Sequence, residues 1–108
     1  MKERIIELLL ALGETPREIA DKLLSLSFKG RRMSACRCPI ANYLKHELQV
    51  EKVWVDGAEV EVRFGDDPRW VYLWENTPDD IIIRLGVVRS FINNFDIGDY
   101  PELVEARQ

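Results

Sequence analysis

The 108-residue chain holds only two cysteines and one histidine. That scarcity excludes a disulfide-stapled fold and leaves too few thiol and imidazole ligands for a common zinc arrangement within one chain. Cys36 and Cys38 are separated by a single residue, too close for an easy disulfide, which favours a reducing compartment. No apolar run approaches the roughly 18 residues of a membrane span. The segment "MKERIIELLLALGE" has a short apolar run broken by Glu7 and no small-residue cleavage pattern. It reads as mature helix rather than signal peptide, and the protein is expected to be cytoplasmic. Also missing are a phosphate-loop glycine pattern, a Ser–His–Asp arrangement and a carboxylate pair placed for acid–base work. An enzyme is therefore not expected, and no catalytic residue, metal or cofactor is assigned. Without a linker, a repeat or a low-complexity tract, residues 1–108 read as one domain.

Hydrophobic residues make up 46% of the chain, enough for a core without staples. The net charge of −4 argues against general coating of nucleic acid. That charge is unevenly spread. The stretch from Phe28 to His46 contains Lys29, Arg31, Arg32, Arg37 and Lys45 and no acid, so the rest of the chain carries −9. One basic patch on an acidic body suits recognition of a particular anion or a particular protein.

Hydrophobic spacing supplies the elements. Lys2 to Leu12 sets Ile5, Leu8, Leu9 and Leu12 on one helical face, and Gly13 follows as a stop. Thr15-Pro16-Arg17-Glu18 has the grammar of a helix start, with a capping threonine, proline at the first position and a glutamate to close a capping box. The helix behind it carries Ile19, Ala20, Leu23, Leu24 and Leu26. Phe28 to Cys38 lacks periodicity and is expected to be a loop around Gly30. Pro39 opens a third helix reaching about Gln49 and burying Ile40, Leu44 and Leu48.

Period-two alternation then takes over. "KVWV" and "AEVEVRF" flank Asp56-Gly57, a tight-hairpin signal. Val60, Val62 and Phe64 point one way; Glu59, Glu61 and Arg63 point the other. "GDDPR" makes a second turn, and "WVYLW" a third strand with Val71 and Leu73 opposite Trp70, Tyr72 and Trp74. "TPDD" at Thr77 repeats the start grammar of Thr15. Ile81, Leu85, Val88, Ile92 and Phe95 form a stripe on a last helix stopped by Gly98, with a short turn over Pro101 to Glu105. The fold class expected is α+β: three N-terminal helices, a three-stranded antiparallel β-meander, and a long C-terminal helix packed on it.

The unusual segment is "FKGRRMSACRCPIANYLKHEL". Cys38 stands where the N-cap of the third helix should be, and the helix dipole together with Arg37 would favour a thiolate there. The sole histidine, His46, lies eight residues on, roughly 12 Å along a straight helix, and cannot serve as its base. The plainer reading makes both cysteines small loop residues. A helix start with Lys29, Arg31, Arg32 and Arg37 just upstream also has the makings of an anion cradle. Against that stands a solvated basic loop paired with the acidic remainder, a reading given more weight. Trp70, Tyr72 and Trp74, joined by Trp54, form either a docking face or core beneath the last helix; core is the expectation.

Two resemblances extend these readings. The order helix, helix, helix, hairpin resembles a winged helix, with "ETPREIADKLLSL" similar to the segment before the turn and "IANYLKHELQVEKVWVDGAEVEVRF" to a recognition helix and wing. It implies DNA binding and a role as a transcription regulator, with Asn42, Lys45 and His46 facing the groove. Separately, "CPIANYL" and "FINNFDIGDYPELVE" resemble short uncharacterised bacterial and phage proteins that carry Cys-Pro-aliphatic-Ala-x-Tyr-Leu and a Phe-Asp-x-Gly-x-Tyr-Pro-x-Leu tail. That resemblance implies a phage or mobile-element origin and, by analogy, inhibition of a host protein. The leading expectation is a small non-enzymatic binding protein with a protein partner. Its contact residues would be Lys29, Arg31, Arg32, Arg37, Asn42 and Lys45; nucleic acid is the alternative partner and a membrane is not expected.

Overall fold

The computed structural model describes residues 1–56, 59–64 and 67–105. Its elements are α1 (Lys2–Leu10), α2 (Pro16–Ser25), α3 (Pro39–Leu48), β1 (Lys52–Asp56), β2 (Glu59–Phe64), β3 (Asp67–Tyr72), α4 (Asp79–Asp96) and a 3-10 turn, Pro101–Leu103. The α+β order expected from the sequence is the one observed: three helices, an antiparallel sheet in the order β1-β2-β3, and a long last helix.

The N-terminal helices follow their sequence signals closely. Ile5, Leu8, Leu9 and Leu12 are all buried, although α1 itself ends at Leu10. Thr15 caps α2, its hydroxyl accepting the Glu18 N–H at 3.1 Å. The reciprocal half differs from the expected box. The Glu18 carboxylate accepts from the N–H of Glu14, not Thr15, at 2.8 Å. Leu24 and Leu26, placed on the buried face by periodicity, are exposed. In α3, Ile40 and Leu44 are fully buried, and Gln49 ends the helix in the left-handed conformation at φ 57°. Tyr43, missing from the expected core, is buried there and donates its hydroxyl to the carbonyl of Leu8 at 2.8 Å, tying α3 to α1.

Cross-strand pairing sets the two faces of the sheet. Val53↔Val62 and Val55↔Val60↔Val71 align on the inner face, and all five are buried. On the outer face, Trp54, Glu61 and Trp70 form one row across the three strands. Gly57, Gly65 and Asp66, which belong to the two expected turns, lie outside the described residues. The third strand is displaced from its expected span. β3 begins at Asp67 and ends at Tyr72, so Leu73 and Trp74 sit in the following turn. Trp74 leaves the strand face and packs against the core.

The outer face is open, which corrects the expectation that the last helix covers it: Trp70 is 52% and Tyr72 46% exposed. α4 instead makes its main contacts with α1 and α2, while α3 lies against β1. The helices thus pack on one another and on β1, and none of their main contacts is with β2 or β3. α4 buries Leu85, Val88, Phe91 and Phe95, with Ile81 and Ile92 packed at the margin. Phe91, outside the stripe read from the sequence, stacks on Phe95 at 6.2 Å and on Tyr100 at 5.2 Å between ring centroids. At its start, Pro78 and not Thr77 holds the N-cap position. The Thr77 hydroxyl turns back and donates to the carbonyl of Leu73 at 2.6 Å. Among the described residues no helix is long and apolar enough to cross a membrane.

Candidate functional site

The basic loop, residues 28–38, is a closed and pinned structure. The N–H of Arg31 donates to the carbonyl of Arg37 at 2.8 Å, joining the two ends of the loop. Gly30 then forms an isolated parallel bridge with Val104. Its N–H donates to Leu103 at 2.8 Å and its carbonyl accepts from Glu105 at 2.9 Å. Only glycine fits there. A Cβ on residue 30 would lie 2.3 Å from the Arg37 carbonyl oxygen and 2.6 Å from the Cys38 carbonyl carbon. The side-chain amide of Asn42 reaches from α3 to the carbonyls of Lys29 and Arg37. On the far side the Asp96 carboxylate accepts the Met33 N–H at 2.9 Å, and Arg32 Nε donates to the Asp96 carbonyl at 3.1 Å.

These anchors have a common origin in the sequence. The Cys38–Leu44 motif supplies the helix start and Asn42; the Phe95–Leu103 motif supplies Asp96 and the Leu103 carbonyl. Both motifs therefore grip the same loop from opposite sides. Spacing alone does not reveal that they share a loop, since fifty residues, 45–94, lie between them.

Of the six expected contact residues, Lys29, Arg31, Arg32 and Arg37 all lie exposed on this loop. Lys29 and Arg37 have no ion-pair partner among the described residues. Arg31 Nε lies 3.9 Å from the Glu105 carboxylate, and Arg32 leans on the end of α4. Part of the basic charge is thus held by the chain itself, as the plainer reading required. Asn42 is half-buried and spends its amide on the loop backbone, at the carbonyls of Lys29 and Arg37. Lys45 is half-buried beside Cys36, Arg37, Glu51 and Lys52. His46 packs against the ring of Phe28 at 5.4 Å between centroids and lies 3.1 Å from the Glu47 carboxylate. Met33, which spacing does not single out, is 79% exposed on the loop at φ 59°. A non-glycine residue in the left-handed region carries no sequence signature.

Cys38 does occupy the N-cap of α3, and its Sγ accepts the Ala41 N–H at 3.3 Å. Burial nonetheless pushes its thiol up to about 11, outweighing the backbone N–H groups that favour the thiolate. At neutral pH this sulfur is a protonated cap. Cys36 is half-buried, 3.9 Å from the Ser34 hydroxyl. No group of three His, Cys, Asp or Glu side chains converges among the described residues.

Compared with protein-family models, curated proteins and solved structures, the chain finds no match in any of the three.

Proposed function

We propose that this is a small non-enzymatic binding protein that engages an acidic protein partner through the 28–38 loop. The carrying observation is the outward display of Lys29 and Arg37 on a loop whose backbone is held from both sides. A preformed loop loses little conformational entropy on docking, and unpaired cations at its surface attract a partner of opposite potential. The resemblance of the two gripping motifs to phage proteins supports a mobile-element origin, with a host protein as the target to be inhibited. The DNA-binding alternative has weaker support. Two of the residues it would aim at a groove are engaged elsewhere, Asn42 with loop carbonyls and His46 beside Phe28.

The test reverses two charges that the described part of the protein does not use. Lys29→Glu with Arg37→Glu should leave the circular dichroism spectrum intact and abolish capture of the partner from the native host. Capture at wild-type level by the folded double variant would remove the loop from the interface. A mobility-shift experiment at two salt concentrations examines DNA separately, since phosphate contacts weaken steeply with salt.

A further inference from the structure

Behind the loop lies a cavity of about 330 Å³ whose walls come from the loop, the end of β1 and the last turns of α4. Its size is at the lower end of small-molecule sites, about 300–1,000 Å³. The lining is amphipathic: Met33, Val55 and Ile92 supply apolar surface, while Asp56, Asn93 and Asp96 supply acceptors. Neither aspartate has an ion-pair partner among the described residues. Among the described residues the one bond to the Asp96 carboxylate, from the Met33 N–H, uses Oδ1, and Arg32 bonds the Asp96 carbonyl instead.

One base, Arg89, also borders the cavity. Its guanidinium lies over the Trp74 ring, 6.0 Å from the centroid, and Trp74 is not part of the lining. That position offers the cation a π face, and it forms no ion pair with either aspartate among the described residues. The buried, protonated thiol of Cys38 closes the wall without adding charge. A hard metal ion is a poor occupant, because no third carboxylate joins the pair among the described residues.

We propose that this cavity binds an organic cation, an ammonium or guanidinium group on a short alkyl stem. The head would sit between Asp56 and Asp96, with the Asn93 amide oxygen as a further acceptor, and the stem would lie along Met33, Val55 and Ile92. Charge-assisted hydrogen bonds to a head group in a partly enclosed site supply the affinity. Such a group occurs free, on a small amine, or as a lysine or arginine side chain of another protein. The cavity and the outward cations are separate features, and this inference stands without the proposed function.

The experiment is an amide NMR titration of the full chain with n-butylguanidinium, n-butylammonium, n-butanol and butyrate. Saturable shifts at Val55, Asn93 and Asp96 are expected with both cations, and none with the alcohol or the anion. The variant pair Asp56→Asn and Asp96→Asn should weaken binding by about tenfold or more. Asparagine at position 96 can still accept the Met33 N–H, so the loop should keep its place, which the amide spectrum verifies. A blocked arginine peptide serves as the protein-borne source: tighter binding than butylguanidinium assigns the cavity to a partner's side chain, and weaker binding assigns it to a free amine. Absence of saturation with either cation at tens of millimolar overturns the proposal. So do equal shifts with butanol, or unchanged affinity in the folded double variant.

Discussion

Asn42, on the first turn of α3, donates its side-chain amide to the carbonyl oxygens of both Lys29 and Arg37, at 2.7 and 3.3 Å. One side chain therefore holds the entry and the exit of the basic loop. Asn42→Ala leaves both carbonyls without that donor and should cost about 1–2 kcal/mol in urea unfolding. The proposed binding through Lys29 and Arg37 should fall further than the stability loss explains, because the substitution also releases the backbone that carries them. A variant as stable as wild type would show that the Val104 bridge, the Arg31–Arg37 bond and the Asp96 contacts hold the loop without Asn42.

Two glycines should respond in opposite directions to alanine. Gly30→Ala drives a Cβ into the backbone of Arg37 and Cys38, atoms that cannot swing aside. A loss of roughly 1–3 kcal/mol or more is expected. Gly86 lies inside α4, where an added Cβ meets nothing within 4 Å. Gly86→Ala should stabilise by roughly 0.5–1 kcal/mol, because alanine gives up less chain entropy in a helix. Thermal melts of the two variants on either side of wild type would bear this out.

The two thiols should separate in labelling kinetics. At pH 8 in native buffer, Cys36 should react with a soluble disulfide reagent while Cys38 stays protected, since its thiol is buried and pushed up to about 11. Both should react in denaturant. Equal native rates at the two sites would contradict the capping geometry.

Arg17 links α2 to the C-terminal turn, with Nη2 at 2.6 Å from both Asp21 and Glu102 carboxylates. The hydrogen bond from Arg17 holds the Glu102 carboxyl below its usual range. A group depressed in the folded state adds stability above its unfolded pKa, near 4.3. That stability is lost as pH falls through the lower folded value. The difference between wild type and Glu102→Gln should therefore be present at pH 7 and vanish in acid. It should also shrink in high salt, because the pair is solvent-facing.

Helix starts and strand alternation were legible because they rest on neighbours a few residues apart. Thr15 capping Glu18, Pro39 opening α3 and Gly98 closing α4 at φ 99° are local events, and each occurs where the sequence placed it. The start of α4 was misjudged for the same reason that Thr77 looked persuasive. Its hydroxyl had a local partner in the helix, but it turned to the carbonyl of Leu73, placed there by the preceding turn. The aromatic face was misassigned because burial depends on where α4 travels, and α4 travels to α1 and α2.

The sequence by itself determined the order of elements, the valine face of the sheet and the concentration of cations between Phe28 and His46. Periodicity, capping and charge are properties of short stretches, so they can be read without coordinates. Only the tertiary structure decided that Lys29 and Arg37 have no ion-pair partner among the described residues and that Asp96 and Val104 clamp the loop. It also decided that a cavity opens between Asp56 and Asp96. Those outcomes depend on chain segments far apart in sequence, brought together when the apolar faces of the helices and the sheet are buried.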